Sequence, residues 1–149
     1  MDLLRLMALD DEDLAILSAH AQDGVARLGD LVYLPAEKQF AVGFNRFRWE
    51  RATARRRWFG RPVAFERRRS ALHFDRVLAV RRQNLPADPD AVLALLAIRW
   101  HPGAAPSGTV ELVFAGQGAI RLDVECIEAQ LADLGPAWDT LARPDHDRG

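Results

Sequence analysis

The stretch from Val110 to Gly135, VELVFAGQGAIRLDVECIEAQLADLG, constrains the fold most, because the apolar period changes within it. Val110, Leu112 and Phe114 alternate with polar or small residues. Gly116 and Gly118 mark a tight reversal, and Ile120, Leu122 and Val124 alternate again against Arg121, Asp123 and Glu125. Alternation on both sides of a glycine-rich turn predicts a β-hairpin with one apolar face. The period then lengthens. Ile127, Leu131 and Leu134 fall at i, i+4 and i+7, one stripe of a helix, and Gly135-Pro136 supplies a stop. The expectation is a hairpin that feeds an amphipathic C-terminal helix packed on the sheet.

Upstream, Leu3 to Leu9 has the length and composition of an edge strand. Asp10 to Asp13 precede Leu14, Ile16, Leu17 and Ala21 at helical spacing. An aspartate N-cap, with acids facing the positive end of the helix dipole, predicts a helix here that ends at Gly24. Four acids around a helix start do not converge on one ion, so no metal is assigned to them. From Val25 the period is that of strands, with Val25–Leu28 and Leu31–Leu34 as one bent strand or two short ones, broken at Gly29-Asp30, and Pro35–Lys38 as a turn. Phe40, Val42 and Phe44 alternate before the apolar phase slips to Phe47 and Trp49, which predicts a bulge near Asn45. Arg51–Pro62 reads as a loop. Val63–Val80 reads as a strand pair or one long bent strand, with Phe65, Leu72, Phe74, Leu78 and Val80 as core candidates. Val92–Trp100 is apolar on both faces and suits a central strand, with a helix over 91–98 as the rival reading. His101 to Gly108 reads as loop.

These elements make an α+β domain, mostly antiparallel β. The expected form is a bent sheet or partly open barrel with an N-terminal helix and a C-terminal amphipathic helix. That element order is similar to the pleckstrin-homology-like barrel; a two-layer α+β sandwich is the alternative. The 149 residues fit one globular domain, expected over residues 1–142, with a polar flexible tail at 143–149. The single cysteine, Cys126, excludes an internal disulfide and a multi-cysteine zinc site, and reads as a packing residue. No apolar run approaches the roughly 18–20 residues of a membrane span. The N-terminus has neither a basic leader region nor a small-residue cleavage site, so the expected location is cytoplasmic.

Three stretches carry a family resemblance: Arg5 to Pro35, beginning RLMALDDEDL; FNRFRWE at 44–50; and AIRLDVECIEAQLADLGPAW at 119–138. Together they resemble an uncharacterised bacterial family, domain of unknown function 2948, over nearly the whole chain. The resemblance implies a single-domain cytoplasmic protein. It brings no established activity, ligand or catalytic residue.

The formal net charge of −1 conceals an asymmetry. Residues 1–45 carry a net −5 and residues 83–149 a net −6, whereas residues 46–82 hold thirteen arginines against Glu50, Glu66 and Asp75. The candidate anion- or partner-binding residues are therefore Arg55, Arg56, Arg57, Trp58, Arg61, Arg67, Arg68 and Arg69. Arginines neutralise phosphates and release counterions, and an exposed Trp58 or Phe59 among them stacks on an unpaired base. An acidic protein surface suits the same residues, and peripheral anionic lipid is a further candidate. The bland alternative is that these arginines pair with the acids of their own domain, and a pI near 6.4 argues against a dedicated nucleic-acid binder.

No catalytic residue, metal or cofactor is assigned, since H-E-x-x-H, G-x-S-x-G, C-x-x-C and phosphate-loop spacings are absent. The alternative from another class is a small-molecule-binding or catalytic β-barrel with a pocket near His73, His101 and Asp75. There His101 would leave its loop to meet Asp75 or Cys126, while His73 would face solvent opposite Leu72 and Phe74. Pairing through an exposed edge strand is a route to a homo-oligomer. The sequence reading is a non-catalytic binding or scaffold domain that docks an acidic protein or a nucleic acid.

Overall fold

Alternating burial along the chain builds an antiparallel sheet. The computed structural model describes residues 3–47 and 67–136. Among these are ten strands and one α-helix: β1 (Arg5–Ala8), α1 (Asp11–Ala21), β2 (Val25–Arg27), β3 (Leu31–Leu34), β4 (Gln39–Phe47), β5 (Arg67–Phe74), β6 (Val77–Gln83), β7 (Val92–Pro102), β8 (Gly108–Phe114), β9 (Ala119–Val124) and β10 (Ala129–Pro136). The strand order is β1-β10-β5-β4-β2-β7-β8-β9-β6, with β3 also on β4. Every ladder is antiparallel, and the sheet does not close into a barrel: β1 and β6 are its two ends.

The two halves of the sheet meet at one residue pair, Val25 of β2 with Asn45 of β4. Their inner faces share a single core, with Phe40, Val42, Phe44, Leu72 and Phe74 from one half and Leu93, Leu95, Val110, Leu112, Phe114 and Ile120 from the other. The void between Val42, Phe44 and Leu72 on one side and Leu112 and Phe114 on the other is only about 10 Å³, roughly one water at most. Helix α1 buries Leu14, Leu17 and Ala21 against β7 and β1. β2 pairs with β7 only as far as Ala94, and farther along the Ser18 hydroxyl accepts the Ile98 amide at 2.9 Å.

Several expectations hold. The Asp10 side chain caps the helix by accepting from the Asp13 amide at 2.8 Å, and Asp13 reaches back to the Leu9 amide. The hairpin of β8 and β9 buries Val110, Leu112, Phe114, Ile120, Leu122 and Val124 as its alternation predicts. Residues 92–100 are strand, and Leu3–Leu9 contains the edge strand β1.

Others are corrected. The expected helix over 127–134 is strand β10, paired with both β1 and β5. Its buried positions are Ala129, Leu131, Asp133 and Gly135, at a period of two, whereas Leu134 is 62% exposed. The apparent helical stripe includes Leu134, which points outward, and omits Asp133, which points inward. The bulge expected near Asn45 is also absent, because β4 pairs with β5 without a break from Phe40–Phe74 to Phe47–Arg67. Phe40, Val42, Phe44 and Arg46 all face inward, so the phase holds through Arg46, and Trp49 lies outside the described residues. The register shifts among the described residues lie elsewhere, at Leu134 of β10, Leu78 of β6 and Leu96 of β7. Leu78, expected in the core, is half exposed, and Val77 is buried in its place. The helix stops at Gln22, ahead of Gly24, which lies under the Phe44 ring. His101 and Pro102 belong to β7 rather than to a loop. Phe65 lies outside the described residues.

One buried cluster explains both large corrections. Arg46 reaches from β4 across Ser70 of β5 to Asp133 of β10 and forms a two-pronged pair, with Nε to Oδ1 and Nη2 to Oδ2 both at 2.8 Å. The Ser70 hydroxyl donates to Oδ1 at 2.7 Å and the Leu4 amide to Oδ2 at 2.9 Å. The Asp133 amide in turn donates to the Leu4 carbonyl, which fixes the start of β1. Only 1% of the Asp133 side chain is exposed. Burial pushes its carboxyl pKa up, but hydrogen bonds from Arg46, the Leu4 amide and Ser70 outweigh that and hold it below the usual range.

Arg46→Ala strands this carboxylate without its cation and is expected to cost about 3–5 kcal/mol of unfolding free energy in urea. A depressed folded pKa stabilises above the unfolded value and loses that contribution as pH falls through the folded one. The stability gap between wild type and Asp133→Asn is therefore expected to shrink as pH drops below about 4. Urea titrations at stepped pH check this, and a gap independent of pH contradicts an ionised pair.

Candidate anion-binding cleft

Residues on the outer face of β4 and β5 meet the end of β2 at the seam between the two halves. Asn45 stands opposite Val25 on β2 and opposite Arg69 on β5. After β2 the chain makes a short 3-10 turn over Leu28–Asp30 that returns Asp30 toward the seam. Gly29 allows that turn a close approach, its amide donating to the Pro89 carbonyl at 2.8 Å. The result is a cleft of about 290 Å³ lined by Val25, Ala26, Arg27, Asp30, Asn45, Arg69 and Val92.

Two guanidinium groups share one carboxylate here. Arg27 Nε lies 3.9 Å and Arg69 Nη2 3.8 Å from Asp30 Oδ2, ion pairs longer than a hydrogen bond. These three groups sum to one positive charge. Asn45 Oδ1 is buried and has no hydrogen-bond partner among the described residues. A Cβ on Gly43 would stand 2.7 Å from Arg69 Nη2, so the absence of a side chain at Gly43 gives the Arg69 head its place.

Of the residues singled out from the sequence, Arg55, Arg56, Arg57, Trp58 and Arg61 lie outside the described residues. Arg67 and Arg68 open β5, opposite Phe47 and Arg46 in the ladder. Arg69 lines the cleft. Sequence reasoning missed its neighbours Arg27, Asp30 and Asn45, since only the fold brings them together. The i, i+3 spacing of Arg27 and Asp30 was the one local signal.

The residues of the alternative pocket are divided. His73 Nδ1 lies 3.5 Å from Asp75 Oδ2, and Gln39 Nε2 donates to Asp75 Oδ1 at 3.0 Å. The His73 side chain is about one-third exposed rather than fully solvated. His101 is on β7 in the other half of the sheet and meets neither Asp75 nor Cys126; its Nε2 lies 2.8 Å from Glu111 Oε1. Cys126 is half-buried in the turn between β9 and β10. Among the described residues no group of three or more His, Cys, Asp or Glu is placed to hold a metal ion, and no helix is long and apolar enough to cross a membrane.

A family model described as a protein of unknown function, DUF2948, matches residues 4–146. The chain belongs to the DUF2948 family. No curated protein and no solved structure matches it. The family match spans both halves of the sheet and the cleft between them, so the cleft belongs to the DUF2948 unit itself.

The His101–Glu111 contact is open to direct measurement. The Glu111 carboxyl is held below the usual glutamate range, first by its hydrogen bond with His101 and then, against burial, by Arg121. In a carboxyl-carbon NMR titration, His101→Ala is expected to move the Glu111 midpoint up toward the ordinary value of about 4.3. An unmoved midpoint contradicts the pairing.

Proposed function

We propose that this DUF2948 domain is a non-catalytic binding module that docks an acidic protein or a nucleic acid through its arginine-rich stretch from Arg55 to Arg69. The observation that carries the reading is the local charge surplus. Residues 46–82 hold thirteen arginines against three acids. At the described end of that stretch, Arg69 shares the single carboxylate of Asp30 with Arg27 at more than hydrogen-bonding distance. Arginine suits this work because its fork of N–H donors matches phosphate and carboxylate oxygens. The packed interior between the two half-sheets supports a surface role over an internal ligand pocket.

The test is fluorescence anisotropy with single-stranded DNA and RNA oligonucleotides over a range of salt concentrations. Binding is expected to weaken with salt. The triple variant Arg55→Ala/Arg56→Ala/Arg57→Ala is expected to lower the slope of log K against log salt by about 2, the loss of three phosphate contacts to a single strand. If the oligonucleotides do not bind at low salt and immobilised polyglutamate retains the wild type but not the variant, the partner is an acidic protein. Absence of both signals overturns the proposal.

A further inference from the structure

We infer that the cleft at the β2–β4 seam is a subsite for one nucleoside monophosphate unit, either free or as part of a single strand. This rests on the anion-docking reading above and assigns it a ligand.

The chemistry of the lining argues for a ligand with two different ends. Arg27 and Arg69 offer donors and positive charge, whereas Asp30 and the buried Asn45 Oδ1, which has no partner among the described residues, offer acceptors. A buried polar atom without a partner carries an energetic penalty, and a ligand donor at that point removes it. A bare carboxylate or phosphate satisfies the guanidinium groups but brings only acceptors toward Asp30 and Asn45. A nucleotide supplies both kinds of group. Its phosphate faces the two arginines, and its base N–H or ribose hydroxyl donates to Asn45 and Asp30. Val25, Ala26 and Val92 give the apolar walls a base or sugar needs. The volume of about 290 Å³ lies at the small end for ligand sites, which fits one nucleotide unit rather than a folded segment.

The position of Asp30 adds a switch-like feature to the geometry. Its carboxylate sits between the two guanidinium groups at 3.8 and 3.9 Å, too far for hydrogen bonds to hold them. Both arginines therefore retain donors that can turn toward a phosphate without breaking a short pair. Gly43 is the steric condition, since any side chain there displaces the Arg69 head.

The test measures nucleoside monophosphates, inorganic phosphate and single-stranded oligonucleotides by calorimetry or ligand-detected NMR on the full chain. The proteins are wild type, Arg69→Ala, Gly43→Ala and the Arg55/Arg56/Arg57 triple alanine variant. The inference expects a nucleoside monophosphate to bind wild type more tightly than inorganic phosphate. It expects a loss of about tenfold in Arg69→Ala and in Gly43→Ala, the effect of one charge-assisted hydrogen bond. Gly43→Ala keeps every charge and moves only the end of a flexible side chain, so an unchanged unfolding midpoint separates site loss from misfolding. The triple variant should retain the mononucleotide while losing the strand. If oligonucleotides bind wild type and fail on the triple variant, but no mononucleotide binds or Arg69→Ala and Gly43→Ala leave its affinity unchanged, the subsite is overturned and the docking reading stands. If the mononucleotide binds as expected but no strand does, the source of the ligand is a free nucleotide. Equal affinity for inorganic phosphate and nucleoside monophosphate overturns the two-ended site.

Discussion

The Asp133 carboxylate is removed from water inside a β-sheet, and the surrounding structure meets the requirements of that one charge. An isolated ion in such a place would be neutralised or expelled, because burying it without partners costs several kcal/mol. Here it accepts four hydrogen bonds: two from Arg46 on β4, one from Ser70 on β5 and one from the Leu4 amide ahead of β1. Those donors come from three separate parts of the chain. The pairing of β10 with β5 on one side and β1 on the other places Asp133 where it can receive them all. Ser70, on the strand between Arg46 and Asp133, adds its hydroxyl to the same carboxylate.

The same pair accounts for the places where the sequence misleads. The hairpin of β8 and β9 was readable because each inward residue from Val110 to Val124 is apolar and each turn residue is a glycine or its neighbour. The start of α1 was readable because its capping contacts are local, from Asp10 to Asp13. At Arg46 and Asp133, by contrast, a charge occupies an inward position on each of two strands. Each charge breaks the apolar alternation that reveals a strand. On β4 the break imitates a phase slip, and on β10 the exposed Leu134 completes a false helical stripe. Neither charge announces its partner, since the pairing spans 87 residues.

The candidate site was legible only in part, for a related reason. Arg69 stands out within an arginine run, but Arg27, Asp30 and Asn45 are ordinary surface residues until β2 and β4 meet. The cleft also depends on the straightness of β4. Because Arg46 keeps the inward phase, Gly43 and Asn45 share the outer face with Arg69, and Asn45 falls opposite both Val25 and Arg69. A bulge at Asn45 would have turned that amide toward the core. The buried ion pair on one face of β4 and the polar cleft on the other are thus two outcomes of a single register.

The most direct test of this account is a double-mutant cycle on the unfolding free energies of wild type, Arg46→Ala, Asp133→Ala and the double variant. Removal of both partners should be little worse than removal of either one, which gives a coupling energy of about 3 kcal/mol. Additive losses, with coupling near zero, would mean that the two charges do not depend on each other, and the account of how β4 and β10 are set would fail.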